Sequence, residues 1–152
     1  MANSQAMCTS FKGDILKGLH AFGASVIRAA TTKDSFKAAL YLASGSLGAG
    51  TTAYSATSEV TGTNYTAGGV AVTNANDPNT SGTSAIWTPS ASIVFTSVTL
   101  ATAFDAVLIY NDTAAGKNAV SVHTFGSQTI TAGTLTLTMP AHAVGTALIQ
   151  IT

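Results

Sequence analysis

The chain has 152 residues, six basic and six acidic side chains, a formal net charge of zero, and only 8% charged residues. That share is about a third of the usual one, and with no net excess there is no electrostatic case for nucleic-acid binding. The length suits one domain with a sizeable core.

Thr and Ser supply most of the polar side chains, Ala is frequent and there are 14 Gly. Thr suits strands and Gly suits turns, so the bias points to β-structure. Mean hydropathy is +0.36, yet no apolar run reaches the roughly 18 residues of a membrane helix. Much of the surface is therefore expected to be small, weakly polar and uncharged, as in a subunit packed among neighbours. The opening MANSQAMC has no basic stretch leading into an apolar one, so no signal peptide is expected. Cys8 is the sole cysteine, which excludes an intramolecular disulfide and fits assembly in a reducing cytosol. Five cations (Lys12, Lys17, Arg28, Lys33, Lys37) fall in residues 1–37 against Asp14 and Asp34; the rest carries Lys117 against Glu59, Asp77, Asp105 and Asp112. A basic arm on a neighbour's acidic face is one meaning of that pattern; ordinary solvated charges are the other.

Residues 1–8 read as a small polar arm, loose unless a partner holds it. A helix is expected from Thr9 or Ser10, with Phe11, Ile15, Leu19 and Phe22 along one stripe and Gly23 as its stop. Gly13 and Gly18 each weaken it by about 1 kcal/mol, so it forms only if its stripe is covered. A short strand is expected within residues 24–29. FKAALYLA (36–43) is a strand with helix as its rival, since Ala and Leu favour helices; the SGSLGAG loop after it tips the balance to strand.

YSATSEV (54–60) reads as one irregular or helical turn, Tyr65 to Thr73 as a strand with a bulge at Gly68-Gly69, and NANDPNTSGTS (74–84) as a surface loop. Strand pieces follow at 85–88 and 91–96, broken at Pro89, with Val98 and Leu100 leading onward. FDAVLIY (104–110) is apolar on both faces and reads as a doubly covered strand. NDTAAGKN is its turn, and AVSVHTF returns with Val120 and Val122 on one face and Ser121 and His123 turned outward. Gln128 to Ala132 and Thr134 to Met139 follow, the second with Leu135, Leu137 and Met139 in phase and Ala132-Gly133 as a turn or bulge between them. A last strand spans 147–152. Eight or nine short strands predict an all-β, single-domain, antiparallel β-sandwich or jelly-roll-like fold (24–152), preceded by an N-terminal arm and short helix (1–23).

Chemistry-bearing motifs are sparse. No G-x-S-x-G elbow occurs, and Ser121, His123 and Asp105 form only the kind of trio any Ser-rich chain offers. The six acids are scattered, and His20, His123 and His142 share no metal-ligand spacing. NANDPN could offer oxygens to calcium without the D-x-[DN]-x-[DN]-G pattern, and GSLGAG lacks the frame of a nucleotide loop. Trp87 beside Pro89 is either a core ring or an anchor for a partner or a sugar. No enzyme, cofactor, metal or catalytic residue is expected.

Three stretches carry a resemblance: CTSFKGDILKGLHAFG, DSFKAALYLASGSLGAGTTAYSATSEVTGTNYTAGG and FDAVLIYNDTAAGKNAVSVHTFGSQTITAGTLTLTMP. They resemble a group of small virion proteins of tailed bacteriophages, over nearly the whole span from Met7 to Ile151; residues 24–33 and 74–87 depart from the pattern. The resemblance implies a structural role and no catalytic residues. It implies a capsid decoration or cement protein that stabilises the head through non-covalent contacts with the major capsid protein or other virion proteins. Such a subunit would sit in the virion after assembly in the host cytoplasm, as a homo-oligomer with a trimer among its forms, without nucleic-acid or membrane contacts. A tail, baseplate or fibre-associated protein, with host contact among its roles, is the alternative, and a carbohydrate-binding module the remote one. Phe11, Lys12, Ile15, Leu19, Phe22 and Trp87 are the candidate partner contacts.

Overall fold

A computed structural model of the chain describes residues 2–8, 10–11, 15, 18–24, 32–81 and 84–152. The protein is all-β with antiparallel strands in two sheets: a five-stranded sheet in the order β1-β7-β6-β2-β3 and a three-stranded sheet in the order β4-β5-β8. The strands are β1 (Ala6–Met7), β2 (Phe36–Leu42), β3 (Val70–Val72), β4 (Asn79–Ser81), β5 (Ser84–Trp87), β6 (Ile93–Asn111), β7 (Ala119–Leu137) and β8 (Ile149–Ile151).

FKAALYL is a strand despite its helix formers, because tertiary pairing overrides local propensity. It runs antiparallel to β6 from Phe36↔Asn111 to Leu42↔Phe104, and to β3 from Phe36↔Val72 to Ala38↔Val70. Past β3 its outer edge is completed by non-strand groups: Val60 N–H donates to Leu40 O at 3.0 Å and Leu42 N–H to Ser58 O at 2.9 Å. The Tyr65–Thr73 strand contracts to Val70–Val72, since Gly68 and Gly69 take positive φ (88° and 75°) and turn the chain there.

The pieces expected at 91–96, 98–100 and 104–110 form one strand that starts at Ile93, and those at 119–125, 128–132 and 134–139 merge into its 19-residue partner, which stops at Leu137. Strands this long are unusual, and these are not straight. Ile93 and Ile109 line one common groove, although sixteen extended residues would carry them about 50 Å apart. The hairpin is therefore folded back on itself. Its register shifts fall mainly between Phe95 and Ala106, and Ser97 (φ 52°) and Ala132 (φ 46°) sit in the left-handed region. Extra residues bend and twist a strand where they are inserted, which accounts for the fold-over and for the Ala132-Gly133 bulge.

The near half of the hairpin carries the core. Phe104, Ala106 to Asn111 and Ala119 to Val122 are all buried. On one face Val107 and Ile109 lie beside Leu40 and Ala38, and on the other Leu108 and Tyr110 lie beside Ala39 and Lys37.

The N-terminal arm is not loose. Ala6 and Met7 pair with Val122 and Ser121, and Asn3 Nδ2 donates to Leu42 O at 3.0 Å and to Asp105 Oδ1 at 2.6 Å. Cys8 is buried, which pushes its thiol up to about 11. Ser10, Phe11 and Ile15 are helical, but Leu19 to Phe22 are not. The turn closes at Gly18 (φ 65°), whose N–H donates to Ile15 O at 2.9 Å, five residues ahead of the stop expected at Gly23. Thr9, Lys12, Gly13, Leu16 and the body of the strand expected at 24–29 lie outside the described residues.

Candidate functional site

Five of the six candidate contact residues can be placed, and three of them meet one another inside the protein. Phe11 is buried edge-on to His20, with ring centroids 4.9 Å apart. Phe22 stacks on Phe36 at 4.9 Å with an interplanar angle of 8°, and lies 4.6 Å from Trp87. Trp87 is buried, and its indole N–H donates to Asn76 O at 3.0 Å. These rings are accounted for by self-packing: the stripe read as a partner face docks on β2 and β5 of its own chain. Ile15 is half-buried against the same core, Leu19 is exposed at 38%, and Lys12 lies outside the described residues.

Polar bonds hold the N-terminal segment beneath the rings. Asp34 Oδ2 accepts from Ala21 N–H and from Asn111 Nδ2, both at 2.9 Å. Asn74 Oδ1 accepts from Gly23 N–H at 2.6 Å, and its Nδ2 donates to Ala21 O and Asp34 O. Asn111 Nδ2 also bonds His20 Nδ1 at 3.1 Å, so residues 20–23 are fixed by partners from three distant parts of the chain.

The largest unforeseen constellation surrounds Glu59, the sole glutamate of the chain, where all four tyrosines converge. The Tyr54 hydroxyl donates to Glu59 Oε2 at 2.7 Å; the Tyr65 hydroxyl and the Gly68 N–H both donate to Oε1 at 2.7 Å. Tyr110 donates to Gly68 O at 2.8 Å and stacks on Tyr54 with centroids 4.8 Å apart. Tyr41 donates to Ser55 O at 2.6 Å, and its backbone bridges that of Glu59. Gly69 makes the close approach possible: a Cβ there would stand 1.8 Å from Ala38 O.

Burial, reinforced by the Glu59 carboxylate, pushes Tyr54 up to about 12 and raises Tyr65 further; burial raises Tyr41 and Tyr110 as well. All four hydroxyls are therefore neutral donors at ordinary pH. The carboxylate is satisfied by three of its neighbours' hydrogens, and removing it would strand those donors at about 1–3 kcal/mol each. This arrangement locks the 54–69 loop to the sheet. No sequence spacing announces it, since its members come from positions 41, 54, 59, 65, 68 and 110.

Ser121 and His123 do come together, with Oγ and Nε2 sharing a hydrogen bond of 2.9 Å. Neither faces out as the alternation suggests. Ser121 is buried, and His123 lines a groove of about 300 Å³ with Val107, Ile109, Phe125, Leu137 and Met139. The folded-over far half covers that face, and burial takes the imidazole down to about 4, so it is neutral. Asp105 bonds Asn3 instead, and among the described residues no carboxylate bonds the His123 ring.

A cleft of about 620 Å³ on the opposite face is lined by Ser4, Tyr41, Leu47, Thr51, Ser55 and Ser58 among others, offering hydroxyls and backbone rather than charge. The NANDPN loop lines a shallow cleft with His142, in which Asn76 is engaged by Trp87 and by Thr88. Among the described residues no three His, Cys, Asp or Glu side chains gather as a metal-ligand set. Comparison with protein-family models, curated proteins and solved structures returns no match to this chain.

Proposed function

We propose that the chain is a structural virion protein of a tailed bacteriophage, a decoration or cement subunit bound to the major capsid protein through non-covalent contacts. The sandwich or jelly-roll-like packing of its two sheets and a short N-terminal helix belong to the same proposal. It works by surface contact rather than by a chemical site, and no cofactor, nucleic acid or membrane enters it.

The observation that carries the reading is the resemblance of residues 7–151 to that group of virion proteins. The character of the surface supports it. Apart from Asn79, Val94 and Ile151, the exposed strand residues are Thr, Ser, Ala and Gly, whose desolvation on packing costs little. Open backbone edges provide a second means of contact, by strand addition. The internal anchoring of Phe11, Phe22 and Trp87 moves the expected contact surface away from those rings, to Leu19, the loops and the strand edges.

The test is stoichiometry in purified particles. A decoration subunit is expected at a copy number on the scale of the major capsid protein and to be released from intact heads by mild denaturant. A copy number on the scale of the portal would overturn the decoration role and assign the chain to the tail, baseplate or fibre.

A further inference from the structure

We propose that the far end of β7 is a self-association edge, on which a second copy of this chain pairs antiparallel about a two-fold axis at Thr136. The edge is open. β1 lies outside β7 in the sheet but pairs with it only at Ala6↔Val122 and Met7↔Ser121. Among the described residues, β7 from His123 to Leu137 takes strand partners from β6 alone.

Soluble proteins guard such edges with charge, proline, bulges or brevity. Here the charge guard is missing: residues 78–104 and 118–152 contain no Asp, Glu, Lys or Arg. The bulge at Ala132-Gly133 and Pro140 remain as guards, and they bound a run in which Thr134 to Leu137 close β7 and Thr138 and Met139 follow it. Thr134, Thr136 and Thr138 are exposed along it, while Leu135 is buried and Leu137 half-buried.

The run reads Thr-Leu-Thr-Leu-Thr, the same in both directions. An isologous contact sets each position against its mirror position. An axis at Thr136 sets Thr134 against Thr138, Leu135 against Leu137, and Thr136 against itself. Every cross-strand pair is then like with like, threonines on the wet face and leucines on the core face, as favourable pairs require. Moving the axis to Leu135 brings the left-handed Ala132 into the ladder opposite Thr138. Moving it to Leu137 brings in Pro140, which has no N–H to donate. A foreign strand has no reason to match this palindrome, whereas a second copy always does, and an uncharged edge meeting itself creates no like-charge repulsion. Leu137 and Met139 also line the 300 Å³ groove, so the added strand covers apolar surface. Five paired residues per copy is a small contact beside a standard interface, so the dimer is reversible and concentration-dependent.

The inference deepens the assembly reading by naming one of its contacts, and its test uses no particles, so either can fail alone. Sedimentation velocity of the purified chain is expected to show a monomer–dimer equilibrium. Thr136→Lys, which sets two ammonium groups on the axis, is expected to give monomer with an unchanged melting temperature, whereas Thr102→Lys, an exposed position on β6, leaves the dimer intact. Cysteine pairing checks the register independently of whether the lysine variant folds. In a Cys8→Ser background Thr136→Cys is expected to cross-link to its own copy on oxidation, because facing Cα atoms about 4.5–5.5 Å apart suit a disulfide. Thr134→Cys or Thr138→Cys alone stays uncross-linked, its copies about 14 Å apart along the strands, but a mixture of the two cross-links. Monomer at every concentration, a trimer, or Thr134→Cys cross-linking alone as well as Thr136→Cys would each overturn the proposal.

Discussion

From Phe104 to Asn111 and from Ala119 to Val122 nearly every side chain of the central hairpin is buried, whereas beyond the fold-over burial falls chiefly on one row, Ile93, Phe95, Val98, Leu100 and Leu135. The same two strands thus meet two environments. The near half is covered on both faces, by the aromatic cluster around Phe22 and Trp87 on one side and by the tyrosines around Glu59 on the other. The far half keeps a threonine face in water and, among the described residues, one edge open. Stability should therefore respond to the near half and its two covers, and association to the far half. Substitutions that separate the two responses test this division.

The largest effect is expected at Gly69, where the loop bearing Tyr65 meets β2. Its φ is 75°, and an added Cβ would lie 1.8 Å from Ala38 O, a backbone atom that cannot step aside without breaking the β2–β3 ladder. Gly69→Ala is expected to cost more than about 4 kcal/mol, leaving little folded protein by circular dichroism. An unaffected melting curve would mean that the Glu59 loop does not cover the near half as described. Next is Trp87→Ala, which opens the other cover at a cost of about 3–5 kcal/mol, a fall in melting temperature on the order of 10 °C. A Trp87→Ala protein that melts like the parent would return this ring to the role of an external anchor.

Some of this was readable from residues alone. The doubly apolar FDAVLIY, the phase of Leu135, Leu137 and Met139, and the break at Ala132-Gly133 follow from alternation and turn chemistry, because both are local. The fold-over was not readable, since its bulges are marked by ordinary residues such as Ser97 and by register shifts visible only when both strands are placed. That omission misplaced His123: alternation puts it on a face with Ser121, but only the returning far half determines that the face is covered. The packing of the contact stripe was hidden in the same way. Phe11 and Phe22 do share an apolar surface, but nothing in their spacing shows that Phe36 and Trp87 already occupy it. The Glu59 cluster has no local signal, its donors being spread over the β2–β3 connection and its other two tyrosines lying on β2 and β6.

His123 gives a smaller effect with a pH signature. Burial takes its imidazole down to about 4, from about 6.5 in an unfolded chain. Between those values the unfolded chain binds the extra proton, so stability rises with pH through the window. The contribution is fully present above about 6.5 and is lost as pH falls toward 4, amounting to about 2 kcal/mol between pH 7 and 4.5. His123→Leu keeps an apolar side chain in the groove and is expected to flatten that slope in urea titrations at the two pH values. An unchanged slope would show that the far half does not shield this ring from water.

The smallest effect belongs to the turn joining the two halves' common strands. Asp112 pairs with Lys37 at 3.0 Å and also with Lys117, and the hydrogen bond from Lys117 holds its carboxyl below the usual range. Yet both lysines are well exposed, at 39% and 46%, so solvent screens the attraction. The turn itself is held by Asn111, a buried side chain whose Oδ1 accepts the Thr113 and Ala114 N–H groups at 3.0 Å. Asp112→Asn should therefore cost only about 0.5 kcal/mol at low salt, and less as salt is added. A salt-independent loss of several kcal/mol would place the charge, rather than Asn111, at the root of the hairpin. The near half would then depend on its surface as much as on its two covers.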